Sequence, residues 1–192
     1  MSAGPRLFVA VPIEELARAR IAEIVERIRP HEPPGRGVRW VRLDGLHVTL
    51  RFLGPTDESR IEDLTRAMRR AAATVPPFTV VVRGAGAFPP VGRPRTLWLG
   101  IEAGREPLAD LATGLDRALV DAGWPAEGRP FRAHLTLARA DGVRSGPATA
   151  SALQEAAADL ALESRIDRLV LFESVTGGGP ARYLARAEVR LV

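Results

Sequence analysis

Short apolar runs alternate along this chain with amphipathic stretches, and the hydrophobic period switches between two and 3.6 residues. Residues 6–11 read as a strand. From 13 to 29 the pattern is that of a helix, with Leu16, Ile21, Ile24, Val25 and Ile28 on its apolar side. Residues 30–37 form a Pro/Gly-rich loop holding His31. Strands are predicted near 38–42 and 46–53, and a helix near 58–73 with Asp57 as its cap. Residues 78–88 read as a strand interrupted by Gly84 and Gly86, followed by a loop to Arg95 that contains three prolines. A strand over 96–102, a helix over 107–122, a strand near 132–139 and an Ala-rich helix over 149–162 complete most of the chain. Two last strands, 165–175 and 181–191, form a hairpin around Gly177-Gly178-Gly179.

Two of these strands carry the same tetrapeptide, His47-Val48-Thr49-Leu50 and His134-Leu135-Thr136-Leu137. A strand points residues i and i+2 to one face. Strict alternation therefore sets His47, Thr49 and Arg51 opposite Val48, Leu50 and Phe52. In the second strand it sets His134, Thr136 and Ala138 opposite Leu135, Leu137 and Arg139. Each strand turns an apolar comb inward and an imidazole with a hydroxyl outward. The chain has three histidines and ten threonines in 192 residues. Two of three histidines would meet Thr at the second following position in roughly 1% of such sequences by chance. The repeat is therefore treated as chemistry. His31 has no such frame and reads as a surface residue.

Beyond the motif the two halves share little sequence, and no short repeat is present. Each half has a strand, a helix and further strands around its motif. The expected fold is α+β, a single bilobal unit over residues 1–192, with pseudo-two-fold symmetry and a central cleft carrying the two motif strands. No apolar run reaches the length of a membrane span, and the N-terminal region lacks a signal pattern. A cytoplasmic monomer is the expectation.

The balance is 27 basic to 23 acidic residues, and every basic residue is Arg. That bias weakens any inference from net charge alone. Its distribution says more. Around each motif four arginines (36, 39, 42, 51 and 129, 132, 139, 144) face two acids, a mild lean toward an anionic ligand. Cysteine is absent, so no disulfide, thiol nucleophile or thiolate metal site is available. Two histidines without a third ligand in either motif make a poor catalytic zinc site. No nucleophile elbow or phosphate loop is present. Two imidazoles and two hydroxyls converging on one volume suit phosphate-ester chemistry, with a base, an acid and neutral donors to phosphoryl oxygens.

The doubled motif resembles that of the 2H phosphoesterase superfamily. The blocks Arg6–Ala10, Leu46–Gly54, Pro94–Gly100, Phe131–Arg139 and Leu171–Ser174 resemble, within it, the RNA 2′,3′-cyclic phosphodiesterases, also called LigT-like 2′-5′ RNA ligases. The family often has Pro before the second His, where this chain has Ala133. The resemblance implies hydrolysis of RNA 2′,3′-cyclic phosphate ends to 2′-phosphomonoesters, without metal or cofactor. It implies His47 as proton donor and His134 as proton acceptor, roles that the two near-equivalent frames leave open. It also implies Thr49, Thr136 and Arg139 as phosphate contacts. Strict alternation points Arg139 away from His134, so that role needs a bulge or a strand end near Ala138. Arg51 has the right parity and is expected to contact the RNA backbone. Trp40, Phe131 and Tyr183 are candidates for stacking on bases. Ligation through a 2′-5′ bond in the same site, action on a small cyclic phosphate, and a non-catalytic RNA-end binding module are the alternatives.

Overall fold

A computed structural model describes residues 4–29, 37–90, 92–141, 143, 145–177 and 179–192. His31 and Gly178 lie outside the described residues. The elements are β1 (Arg6–Pro12), α1 (Glu15–Ile28), β2 (Val38–Trp40), β3 (His47–Pro55), α2 (Ile61–Ala72), β4 (Phe78–Phe88), β5 (Thr96–Ala103), α3 (Arg105–Asp121), β6 (His134–Ala140), α4 (Gly146–Ala156), β7 (Leu162–Ile166), β8 (Arg168–Val175) and β9 (Arg182–Arg190). All nine strands join one sheet in the order β7-β4-β5-β6-β3-β1-β8-β9, with β2 paired to β6. Every pairing is antiparallel.

The topology fixes the shape. β7 lies at one edge of the sheet and β8 is next to the last strand at the other. Only Asp167 separates them in the chain, and one residue spans at most about 3.6 Å. The outer ends of the sheet must therefore approach each other, so the sheet is curled into an antiparallel half-barrel. β1-α1-β3-α2 in one lobe corresponds to β5-α3-β6-α4 in the other, and β3 meets β6 at the seam. The first helix of each set crosses over. α1 packs on α4 and β7, whereas α3 packs on α2 and β3. Each lobe is thus covered by a helix from the other half, which ties the halves together.

Helix positions follow burial at helical spacing. Leu64, Ala67, Met68 and Ala71 seat α2, and Leu108, Leu111, Ala112, Leu115 and Leu119 seat α3. The Asp57 carboxylate accepts hydrogen bonds from the Ser59 N–H at 2.8 Å and its hydroxyl at 2.7 Å. It caps a 3-10 turn over Glu58–Arg60 that leads into α2. No described helix is long and apolar enough to cross a membrane.

Four sequence expectations shift. Leu16 is 79% exposed, and Ala17 instead joins Ile21, Ile24, Val25 and Ile28 in the core. The last helix stops at Ala156, and the run expected as one strand from 165 is two strands broken at Asp167. The break falls in the charged stretch Arg165-Ile166-Asp167-Arg168 and arises because β7 and β8 serve opposite lobes. Gly84, at φ +69°, sits in a register shift between Val82 and Ala85, so β4 bulges there without ending.

Candidate active site

β3 and β6 adjoin with Val48 opposite Leu135. Antiparallel order then sets His47 across from Thr136, and Thr49 across from His134. Val48, Leu50, Leu135 and Leu137 are in the core, whereas the two histidines and two threonines are half-buried on the opposite face of the sheet. The seam therefore brings together the four motif residues singled out in the sequence. Neither threonine hydroxyl has a protein partner among the described residues, so both are open to a ligand.

Immediately after the motif both strands break alternation, in the same way. Ala10 faces Thr49 but Val9 faces Arg51, so β1 skips Leu50. Trp98 faces Thr136 but Leu97 faces Ala138, so β5 skips Leu137. A one-residue bulge sends every later side chain to the other face. Arg139 therefore lies on the histidine face, where its Nη1 donates to Thr96 Oγ1 at 2.8 Å.

The same device overturns the placement expected for Arg51. Its side chain turns into the protein and is 6% exposed. Arg51 Nη1 lies 2.8 Å from Asp116 Oδ1 and 3.6 Å from Glu127 Oε2, and Nη2 donates to the Pro125 carbonyl. Phe52, expected in the core, is turned out and 56% exposed. The sequence does hold a trace of the bulge. Leu137 and Ala138 are consecutive apolar residues where alternation would put Ala138 outward.

Both imidazoles are held identically. His47 Nδ1 lies 2.7 Å from the Gly45 carbonyl, and His134 Nδ1 lies 2.7 Å from the Arg132 carbonyl, each two residues upstream. A carbonyl only accepts, so Nδ1 carries the hydrogen and Nε2 is left to exchange protons with a ligand. Burial lowers the pKa of His47 below the usual 6.5. The Gly45 carbonyl opposes that shift, and the charge on His134 adds to it. Burial likewise lowers the pKa of His134, opposed by the Arg132 carbonyl and reinforced by Arg139.

These shifts fix the sign of a pH profile. An acid–base pair works with one ring protonated and one neutral, a state most populated between the two macroscopic pKa values. Burial moves both rings below the usual histidine range, so if the two act as such a pair kcat/KM should be highest on the acid side of that range and fall as pH rises through neutrality. A bound phosphate anion raises both values, so the kcat optimum should lie at higher pH than that of kcat/KM. Steady-state rates across that range check both expectations.

Aromatic rings wall the site on both sides. Phe8, Phe172 and Tyr183 stand 4.9, 5.8 and 5.0 Å from the His47 ring, centroid to centroid. Phe88 and Trp98 stand 5.2 and 6.3 Å from His134. Two glycines make room for them. A Cβ at Gly45 would lie 3.0 Å from Tyr183 Cδ2, and one at Gly86 would collide with the Trp98 ring. Of the stacking candidates from sequence, only Tyr183 lines this face. Trp40 is 8% exposed in the core, and Phe131 packs against it. Phe8, Phe88, Trp98 and Phe172 were missed, although strand parity relates Phe8 to Ala10 and Trp98 to Gly100. The two holding carbonyls carry no side-chain signal.

A curled antiparallel sheet with two matched His-x-Thr strands joined at its seam defines the class, a LigT-like two-histidine fold. The crystal structure of a Thermus thermophilus protein matches it with a TM-score of 0.77 at 29% identity, covering 97% of each chain. Escherichia coli LigT complexed with 3′-AMP matches with a TM-score of 0.72 at 26% identity, over 97% of this chain and 98% of that one. An RNA 2′,3′-cyclic phosphodiesterase of Archaeoglobus fulgidus is 31% identical over 176 residues, 91% of this chain and 94% of the relative. One of Thermus thermophilus is 36% identical over 143 residues, 70% of this chain and 68% of the relative. The family model for the 2′-5′ RNA ligase superfamily matches residues 14–178. The chain belongs to the 2′-5′ RNA ligase superfamily.

Proposed function

We propose that this protein is an RNA 2′,3′-cyclic phosphodiesterase that opens the ring by two-histidine acid–base catalysis. The observation that carries the reading is the matched pair of imidazoles, each with Nδ1 fixed by a carbonyl and Nε2 free, on adjoining strands. In the working form His134 is neutral and His47 protonated. Water attacks phosphorus, and its proton passes to His134 Nε2. The bond from phosphorus to the 3′ oxygen breaks, and that oxygen takes the proton from His47 Nε2. The product has a 2′-phosphate and a free 3′ hydroxyl. Solvent exchange returns one proton to His47 and removes one from His134.

Thr49 and Thr136 stand across from the opposite histidines, placed to donate to non-bridging oxygens as negative charge grows on them. Arg139 adds a cation on the same face, close enough to His134 and Tyr183 to affect both titrations. The assignment of acid and base to particular histidines rests on the family resemblance. The names of the curated relatives support the substrate class.

The test is incubation with an RNA oligonucleotide ending in a 2′,3′-cyclic phosphate, followed by location of the phosphate in the product. Hydrolysis to a 2′-phosphomonoester that persists in EDTA is expected. A 3′-phosphate product, or loss of activity in EDTA with recovery on adding a divalent ion, would refute the mechanism. Because water is in excess, hydrolysis dominates over formation of a 2′-5′ bond.

A further inference from the structure

Two like charges face each other beside the site. β2 takes the place next to β6 that β3 has left, and its register sets Arg39 directly opposite Arg139. On the other side of β6, Thr96 faces the same Arg139. Residues directly opposite in a ladder share a face of the sheet. Thr96, Arg139 and Arg39 therefore form one row across three strands, on the histidine face. The next pair along, Trp40 and Ala138, is in the core, which turns the two arginines outward. Both are exposed.

Like charges directly opposite destabilise a ladder. Other exposed arginines are answered by carboxylates, as Arg42 is by Asp44 and Arg83 by Glu102. Arg39 and Arg139 have no carboxylate partner among the described residues, and Arg139 is steadied instead by the Thr96 hydroxyl. Asp141, two residues along, has its Oδ1 engaged by the Val143 and Ser145 N–H groups. Two planar, forked cations side by side and unneutralised make a seat for a phosphate. Its position says which one. Thr96 and Trp98 are two residues apart on β5 and face Arg139 and Thr136, so the row lies about 7 Å along the strand from Thr136. Thr136 stands where the reacting phosphate is held, and the row is about one sugar–phosphate unit farther on.

We propose that Arg39 and Arg139 together hold the phosphodiester on the 5′ side of the terminal nucleotide, so that the protein recognises an RNA chain by a second phosphate. This rests on the reading of the site as a cyclic phosphodiesterase. Two matched pairs of substrates test it. The first is a nucleoside 2′,3′-cyclic phosphate with a 5′ hydroxyl or a 5′-phosphate. The second is a dinucleotide with the same cyclic end, joined by a phosphodiester or by an uncharged methylphosphonate. The charged member of each pair should be favoured by about 10-fold in kcat/KM. Arg39→Gln should bring both ratios close to one, and Arg39→Lys should keep part of the preference. Arg39→Gln should melt at or slightly above the parent temperature, since it removes one of two opposed like charges.

Ratios unchanged in Arg39→Gln would overturn the assignment while leaving the phosphodiesterase reading intact, and so would a parent that turns over both members of each pair equally well. Equal losses on charged and uncharged substrates would instead put Arg39 on the reacting phosphate or in the fold. Turnover of none of the substrates by the parent would sink the phosphodiesterase reading, and the second phosphate seat with it.

Discussion

Replacing either His47 or His134 with Ala is expected to lower kcat on a cyclic-phosphate RNA end by about 10²–10⁴-fold, the contribution of a positioned acid or base. In the proposed mechanism the two proton transfers serve one displacement at one phosphorus, so the losses should not multiply. The double variant should be little slower than the worse single variant. The pH profiles separate the roles. If His134 is the base, His134→Ala loses the acid limb of the bell and keeps the alkaline one. If His47 is the acid, His47→Ala loses the alkaline limb. Exchanged limbs would reverse the assignment but keep the mechanism. Full activity in either variant would end it. His47 also packs against Phe8 and Tyr183, so melting curves should accompany the rates to separate a lost proton donor from a loosened wall.

How much of this site was legible in the chain follows from what side chains encode. The motif strands were readable because Val48, Leu50, Leu135 and Leu137 alternate with polar neighbours, and burial enforces that alternation. Placing the two strands side by side followed from the repeat and the similar elements around it. The bulges were not readable from the pattern alone. An extra residue in a strand is a property of a pair of strands, set by the register against β1 and β5. For Arg139 the resemblance demanded such a bulge, and parity alone argued against it. For Arg51 nothing demanded one, and parity misplaced it. The crossing of α1 and α3 to opposite lobes was equally hidden, because an amphipathic helix states that it has a partner and not which sheet supplies it. β7 was absorbed into its neighbours because Leu162–Ile166 is only five residues of alternating polarity and Asp167 alone separates it from β8.

Arg51 gives the second large effect, on stability. The bulge at Leu50 drives it into the protein between β3, α3 and the segment leading to β6. There it meets Asp116, Glu127 and the Pro125 carbonyl. Asp116 also accepts the Glu127 N–H at 3.1 Å, so the carboxylates and the segment are held as one unit. Arg51→Met keeps the volume of the stem but leaves two carboxylates facing an apolar group. Asp116 and Glu127 are 28% and 29% exposed, so water partly relieves them. The expected loss is about 3 kcal/mol, the low end for breaking a buried pair from one side. In a chain of this size that lowers the melting temperature by about 6–12 °C. A second change, Asp116→Asn in the Met variant, should recover part of the loss by removing one stranded charge. An arginine that touched RNA would behave differently. Its loss would leave melting unchanged, weaken RNA binding, and reduce the salt dependence of that binding by nearly one unit of slope. Melting curves and salt titrations on the same variant decide between the two, and the buried ion pair predicts a large fall in the first with no change of slope in the second.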